Sequence, residues 1–286
     1  MKLLSLNTHS LIDFDAQEQV RVLADFIENE RPEVICLQEV NQPINAPISD
    51  EISRPPLPTM ADGAYSVPYK NGNFLLLLAE ALASKNISYD FCWLPVKIGY
   101  GKYDEGLAIL SAYPMSSIQG HLISKTNSYA DFRRRMCLFA RIDALGITVC
   151  NLHTSRFDDK LEPFAYQWEN IKKYCPSGAH MLLGDFNCPD TESGGGYDKI
   201  ISDGYYDLYR LASKRIGYAT VKGNIDGWKD GKESLDKRID FMFSSRPLTH
   251  NRISFKTVFN GCDLPQISDH FGIFAEISSK PNKKEI

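Results

Sequence analysis

Short apolar runs alternate with stretches of helical spacing from the first residues of the chain. Residues 3–6 and 34–37 read as buried strands. Between them Val20, Leu23, Ala24 and Ile27 recur at the spacing of one helix face, behind Asp15-x-x-Glu18. That pair predicts a capping box, which satisfies free amides at a helix start. Pro32 marks the break after the helix. A nearly all-apolar helix is expected over 73–85 and another over 161–174. Further strands are expected over 88–94, 106–111, 136–142, 147–152, 181–183, 239–243, 253–258 and 271–277.

Residues 41–72 break this pattern. They hold six prolines (43, 47, 55, 56, 58 and 68) and almost no periodicity, so they read as a long excursion from packed structure. Either a surface loop pinned by proline or a lid facing a substrate fits that composition. No linker divides the strands into two sets, and no internal repeat is evident. One α/β domain over 1–278, with a flexible tail over 279–286, is the economical reading.

With 43% hydrophobic and 24% charged residues the chain is not disordered, and 286 residues bury a sizeable core without disulfides or a structural metal. Thirty-six acidic against 32 basic residues leave a net charge of -4, which argues against a protein that coats nucleic acid. The most apolar stretch, residues 74–83, is broken by Glu80 and falls short of the ~20 residues a spanning helix needs. Polar residues come too early after Met1 for a signal peptide. Seven dispersed cysteines without a CxxC pair read as reduced thiols in a cytoplasmic protein.

The chemistry is expected at strand ends. A strand buried on both faces has no structural use for a carboxylate at its tip. Yet polar residues stand at five such ends: Asn7; Gln38-Glu39; Asn151 and His153; Asp185 and Asn187; and Ser268-Asp269-His270. In the third and fourth, i,i+2 spacing puts both side chains on one face of an extended chain. Oxygen-rich donors suit Mg²⁺ or Mn²⁺, whereas zinc would draw on more His and Cys. Each position has a plainer reading: a surface carboxylate for Glu39, a turn cap for Asp185 and Asn187, a helix N-cap for Ser268-Asp269-His270. Those readings would have to hold at five strand ends at once.

The order Asn, Gln-Glu, Asn-x-His, Gly-Asp-Phe-Asn and Ser-Asp-His resembles the endonuclease/exonuclease/phosphatase superfamily, the deoxyribonuclease I-like fold. The matching stretches are SLNTH, ICLQEV, YDEGLAILS, VCNLHT, LLGDFN, RIDFMF and SDHFGIF, spanning residues 3 to 274. The resemblance implies a four-layer α/β sandwich, two mixed sheets face to face with helices outside. It also implies roles. Glu39 is the expected principal metal ligand, with Asn7 beside it and Asp269 nearby. Asp185 orients and deprotonates water, and Asn187 binds a phosphoryl oxygen. His270, held by Asp240, stabilises the transition state, and His153, paired with Glu105, lies across the phosphate. Asn151 is expected against the substrate. Arg134 or Arg135 contacts the phosphate, unless the RRR run is a solvated basic patch. The whole set describes metal-assisted hydrolysis.

Two features depart from the family. LNTH stands where Trp-Asn is commoner, which puts His9 on the strand face of Asn7, read as a satisfied core histidine ahead of a group supporting the site. The Ser193-Gly194-Gly195-Gly196 run lacks the Lys-Ser/Thr of a phosphate loop and reads as a turn.

The core motifs do not choose the substrate. Residues 41–72 carry two basic against three acidic residues, unlike a duplex-gripping loop. Neither a signal peptide nor a hydrophobic hairpin supports a secreted sphingomyelinase. A cytoplasmic phosphomonoesterase acting on a small phosphorylated metabolite remains, with no stable nucleic-acid partner and no membrane. The insertion, YDEGLAILS and Glu162-Pro163-Phe164 with Gln167-Trp168 resemble bacterial maltose 6'-phosphate phosphatases, so a sugar phosphate is the expected substrate. Tyr65, Tyr69, Trp93, Tyr100 and Tyr103 are candidates for stacking on sugar rings, against core packing. A nuclease is the alternative, and a degenerate binder the non-enzymatic one.

Overall fold

The computed structural model describes residues 1–50, 66–223 and 236–279, together with the backbone of 59–60. The chain opens with β1 (Lys2–Asn7), α1 (Ala16–Glu30), β2 (Val34–Pro43), β3 (Thr59–Met60) and α2 (Phe74–Ser84). It continues through β4 (Asp90–Gly99), β5 (Tyr103–Ser111), β6 (Ser116–Leu122), β7 (Met136–Ile142), β8 (Ile147–His153), α3 (Phe164–Tyr174) and β9 (His180–Asp185). After α4 (Gly196–Ser202), β10 (Tyr206–Asp207), α5 (Leu208–Leu211) and β11 (Lys214–Ile216) come β12 (Asp240–Ser244), β13 (Asn251–Val258) and β14 (Gly272–Ser279).

The strands form two seven-stranded mixed sheets, ordered β11-β13-β14-β1-β2-β5-β4 and β10-β12-β9-β8-β7-β6-β3. Side-chain alternation builds the layers. In β1, Leu4 and Leu6 join the core under α1 and α2, while Leu3 faces inward. Leu3, Val34, Cys36 and Ile109 of the first sheet meet Leu138, Val149 and Leu183 of the second, filling the space between the sheets. On the outer side of the second sheet, Phe164, Trp168 and Ile171, one face of α3, cover Cys150, Leu152 and Leu182. Each such apolar side chain contributes roughly 1.5–3 kcal/mol when buried. This is the four-layer α/β sandwich.

Several expectations shift by a few residues. Asp15 does cap α1, accepting the Glu18 amide at 2.9 Å, but the Glu18 carboxylate pairs with Arg21 instead of reaching back. Half a capping box forms. Arg31 closes the helix in the left-handed conformation, one residue before Pro32. The helix expected from 161 starts at Phe164, because Asp159 accepts the amides of Leu161 and Glu162 and turns the chain first. Strand β2 runs on through a bulge into the proline-rich excursion, with Asn41 and Gln42 fully buried. Much of that excursion lies outside the described residues, as do Tyr65 and 280–286, whereas Ser279 belongs to β14. Strand β6 escaped the sequence reading because SSIQGHL is mostly polar and holds no apolar run. All seven cysteines are unpaired. No helix among the described residues is long and apolar enough to cross a membrane.

Candidate active site

Strand register assembles the site before any side chain is considered. β1 runs parallel to β2, and β8 parallel to β9, so Asn7, His153 and Asp185 emerge at the C-terminal ends of their strands, and Glu39 sits at the bulge of β2 just past the end of its pairing with β1. His153 is the register partner of Asp185, and Asp185 of Asp240, giving one row across the second sheet. β14, antiparallel to β1, brings Asp269 and His270 to the same edge of the first sheet.

Three backbone devices aim the groups. A bulge in β2 leaves Glu39 at φ 50, and His9 and Asn187 also adopt positive φ, at 42 and 47. Non-glycine residues held there cost roughly 1–3 kcal/mol each, a strain that concentrates at functional sites. Gly184 of LLGDFN sits at φ 143, where an added Cβ would lie 2.0 Å from the Leu152 carbonyl oxygen, so no other residue fits between β8 and β9.

Asp185 divides its carboxylate between two tasks. Oδ1 accepts the Asn187 amide at 2.8 Å, the turn cap of the plainer reading. Oδ2 accepts Asn7 Nδ2 at 3.2 Å and lies 3.6 Å from His153 Nε2 and 3.8 Å from His270 Nε2. Burial, with the Asp240 carboxylate nearby, pushes Asp185 up to about 7. His270 Nδ1 meets Asp240 Oδ2 at 3.0 Å. Burial opposes charging His270, but the Asp240 and Asp185 carboxylates hold it well above the ordinary histidine range. His153 goes the other way, lowered by burial and by the Arg135 guanidinium. One imidazole is therefore cationic and the other neutral on either side of Asp185.

Asn7 Nδ2 also donates to Glu39 Oε1 at 2.9 Å. Burial would raise Glu39, yet the hydrogen bond and charge of His9, with the Asn7 hydrogen bond, hold it below the usual carboxylate range. His9 corrects the sequence reading. It is buried with both ring nitrogens partnered, Nε2 by Asp13 Oδ2 at 3.2 Å, but it supports the site and not the core, because its Nδ1 lies 3.1 Å from Glu39 Oε2 and 3.8 Å from Asp269 Oδ1. Burial opposes its charge, but Glu39, Asp269 and Asp13 raise it to about 9.

His9, Glu39, His153, Asp185, Asn187, Asp269 and His270 line a cleft of about 420 Å³ with Lys97, Glu105, Arg133, Arg135 and Arg156, and Asn7 and Asp240 support it from behind. A larger hollow of about 1080 Å³ lies beside α2 and β4, but among the described residues no histidine, lysine or arginine lines it, so the chemistry belongs to the smaller cleft. Within it, Glu105 does not pair with His153. Its partner is Lys97, at 3.1 Å, a lysine that stands out in the sequence inside apolar β4. The RRR run is no solvated patch: Arg134 is fully buried and its guanidinium bonds the Val96 carbonyl. Arg135 faces the cleft, with Nη1 on the carbonyls of Phe132 and Arg134 and, among the described residues, no carboxylate partner. Asn151 is not a cleft residue. Fully buried, it donates to the carbonyls of Leu37 and Ala108 at 2.8 Å each and accepts Gln38 Nε2 at 2.6 Å, clamping the two sheets together. Ser268 caps no helix; its hydroxyl donates to the Asn7 carbonyl at 2.7 Å, tying Asp269 to β1. Tyr69 and Trp93 are core residues, and the Tyr103 hydroxyl is spent on the Leu11 carbonyl. Tyr100 alone of the described stacking candidates is half-exposed at the cleft.

The model of the endonuclease/exonuclease/phosphatase family matches residues 4–270. The chain belongs to this family. It is a phosphoester hydrolase family, and its enzymes generally depend on divalent metal ions. Among solved structures, a family protein from Leptotrichia buccalis is 26% identical over 97% of this chain and 99% of its own, with a TM-score of 0.82. The Bacteroides thetaiotaomicron mannosyl-6-phosphatase is 17% identical over 97% and 99% (TM-score 0.63). An AP endonuclease from Archaeoglobus fulgidus is 16% identical over the same shares (TM-score 0.59). No curated protein sequence matches.

The donor set fits a hard cation. Glu39 Oε2 and Asp269 Oδ1 lie 3.1 and 3.8 Å from His9 Nδ1, and Asn7 stands beside Glu39. Among the described residues, Asp185, Asp240 and His270 are the group whose ligand atoms all lie within 4.8 Å of one another, and Asp240 Oδ1 is buried without a partner. With His270 Nδ1 already on Asp240, the oxygen-richer first set is the better match for Mg²⁺ or Mn²⁺.

Proposed function

We propose that this protein is a metal-dependent phosphomonoesterase acting on a small phosphorylated metabolite, with a sugar phosphate as its substrate. The observation that carries this reading is the cleft: about 420 Å³, the size of a small-molecule site, lined by the Arg135 guanidinium, the His153 and His270 imidazoles and the carboxylates of Glu39, Asp185 and Asp269 among other charged groups. The neighbour titled mannosyl-6-phosphatase lends support, as does the resemblance to maltose 6'-phosphate phosphatases.

Glu39, Asn7 and Asp269 would hold the cation, which when bound would polarise a phosphoryl oxygen and offset developing negative charge. Arg135 binds a second phosphoryl oxygen through the guanidinium edge left without a carboxylate. Asp185 orients water and takes its proton, a task suited to a carboxyl titrating near neutral pH. Cationic His270, fixed by Asp240, faces the negative charge of the pentacoordinate state, and Asn187 and neutral His153 complete the ring.

The test is phosphate release across sugar phosphates, nucleotides, inositol phosphates and sphingomyelin, with plasmid nicking alongside. We expect kcat/KM on a hexose or disaccharide phosphate to exceed that on DNA by at least about 100-fold, roughly 2.7 kcal/mol of transition-state binding. Salt should alter that rate only modestly, because few phosphates are contacted. Salt-sensitive nicking with sugar phosphates untouched would establish the nuclease alternative, which the AP endonuclease neighbour represents.

A further inference from the structure

Asp240 and His270 come from different sheets. Asp240 opens β12 of the second sheet, and His270 precedes β14 of the first. No β-ladder joins these strands, so ordinary sheet pairing does not set the 3.0 Å between Nδ1 and Oδ2.

One buried residue bridges the gap. The Thr220 hydroxyl accepts the amides of Ile239 and Asp240, at 3.0 and 3.2 Å. Its amide donates to the Lys237 carbonyl at 2.8 Å, and its carbonyl accepts the Phe271 amide at 2.7 Å. Val221 next to it makes antiparallel bridges to both Lys237 and His270. Thr220 is fully buried, so no water substitutes for these bonds. The Ile239 carbonyl in turn accepts the Phe186 amide at 2.9 Å, extending the brace to the strand that carries Asp185.

We infer that Thr220 is a positioning residue for phosphoester hydrolysis, a brace between the sheets that sets the registry of Asp240 with His270. The inference rests on the reading of His270 and Asp240 as catalytic. Serine keeps the bridging oxygen, whereas valine keeps the shape and removes it, leaving two buried amides unpaired at the root of Asp240.

The experiment compares Thr220→Val, Thr220→Ser and His270→Ala in the full chain with Mg²⁺ and an aryl phosphate, following kcat, KM, thermal unfolding and the low-field imidazole N–H proton resonance. Thr220→Val should lower kcat by 10-fold or more with KM within twofold, and should shift or broaden the His270 resonance at temperatures where the protein is fully folded. Thr220→Ser should restore both. If Thr220→Val does not fold, Thr220→Ala, which leaves room for a water against the two amides, carries the same comparison. Near wild-type kcat and an unmoved resonance in a folded Thr220→Val or Thr220→Ala would overturn the inference, as would losses that Thr220→Ser fails to restore. Should His270→Ala itself retain activity, the catalytic reading fails instead, and with it the reaction Thr220 is said to serve.

Discussion

Asp185→Asn separates the catalytic from the structural consequences of one carboxylate, because the two should move in opposite directions. Asp185 is 1% exposed, and burial with Asp240 raises it from 3.8 to about 7. Between those values the folded protein holds a proton that the unfolded chain has released. Stability therefore falls as pH rises through the window, and the full penalty is present above about 7. Integrated from pH 5 to pH 8, a shift of this size costs the wild type about 2–3 kcal/mol, which asparagine escapes. Asparagine brings its own fixed cost, since Asn7 Nδ2 and Asn187 Nδ2 would face another donor, but that cost does not vary with pH. The assay is urea denaturation of both proteins at pH 5 and pH 8 in EDTA, so that no cation neutralises the carboxylate. The variant should gain about 2–3 kcal/mol on the wild type between the two pH values. Its turnover with Mg²⁺ should meanwhile fall by about 10²–10⁴-fold. Parallel pH profiles for the two proteins would refute the electrostatic argument, and turnover within about threefold of wild type would remove Asp185 from proton transfer.

Chelation with EDTA should abolish activity and added Mg²⁺ or Mn²⁺ restore it, and Glu39→Gln should raise the Mg²⁺ concentration for half-maximal rate; full activity after exhaustive chelation would dismantle the site. Arg135→Ala removes a charge-assisted contact to phosphate and should lower kcat/KM by about 10–100-fold in steady-state assays, with folding intact. Asn151→Ala takes a buried donor from the Leu37 and Ala108 carbonyls and the 2.6 Å acceptor from Gln38 Nε2, so urea denaturation should register a loss of about 2–4 kcal/mol. A raised KM at unchanged stability would instead return Asn151 to the substrate.

Polarity at strand tips was legible without coordinates. Glu39, Asp185, Asp269, His153 and His270 stood out because apolar strands give a carboxylate or imidazole no local reason to be there, and all five line one cleft. The layer pattern was equally readable, since runs such as Val34–Leu37 are apolar on both faces and need cover on each. What adjacency in sequence cannot encode is which partner a side chain finds across the sandwich. Asn151 and His153 share a face of β8, yet Asn151 lies deep enough to be consumed by the opposite sheet while His153 reaches the cleft. Glu105 found Lys97 across its hairpin, and Arg134 and Arg135, neighbours in the chain, point one into the core and one into the site. His9 became part of the acidic cluster only because a bulge in β2 turned Glu39 toward it. Hydrophobic periodicity is a local property and survives in one dimension; hydrogen-bond and ion-pair partners are set by register between strands far apart in the chain, which only the packed sheets decide.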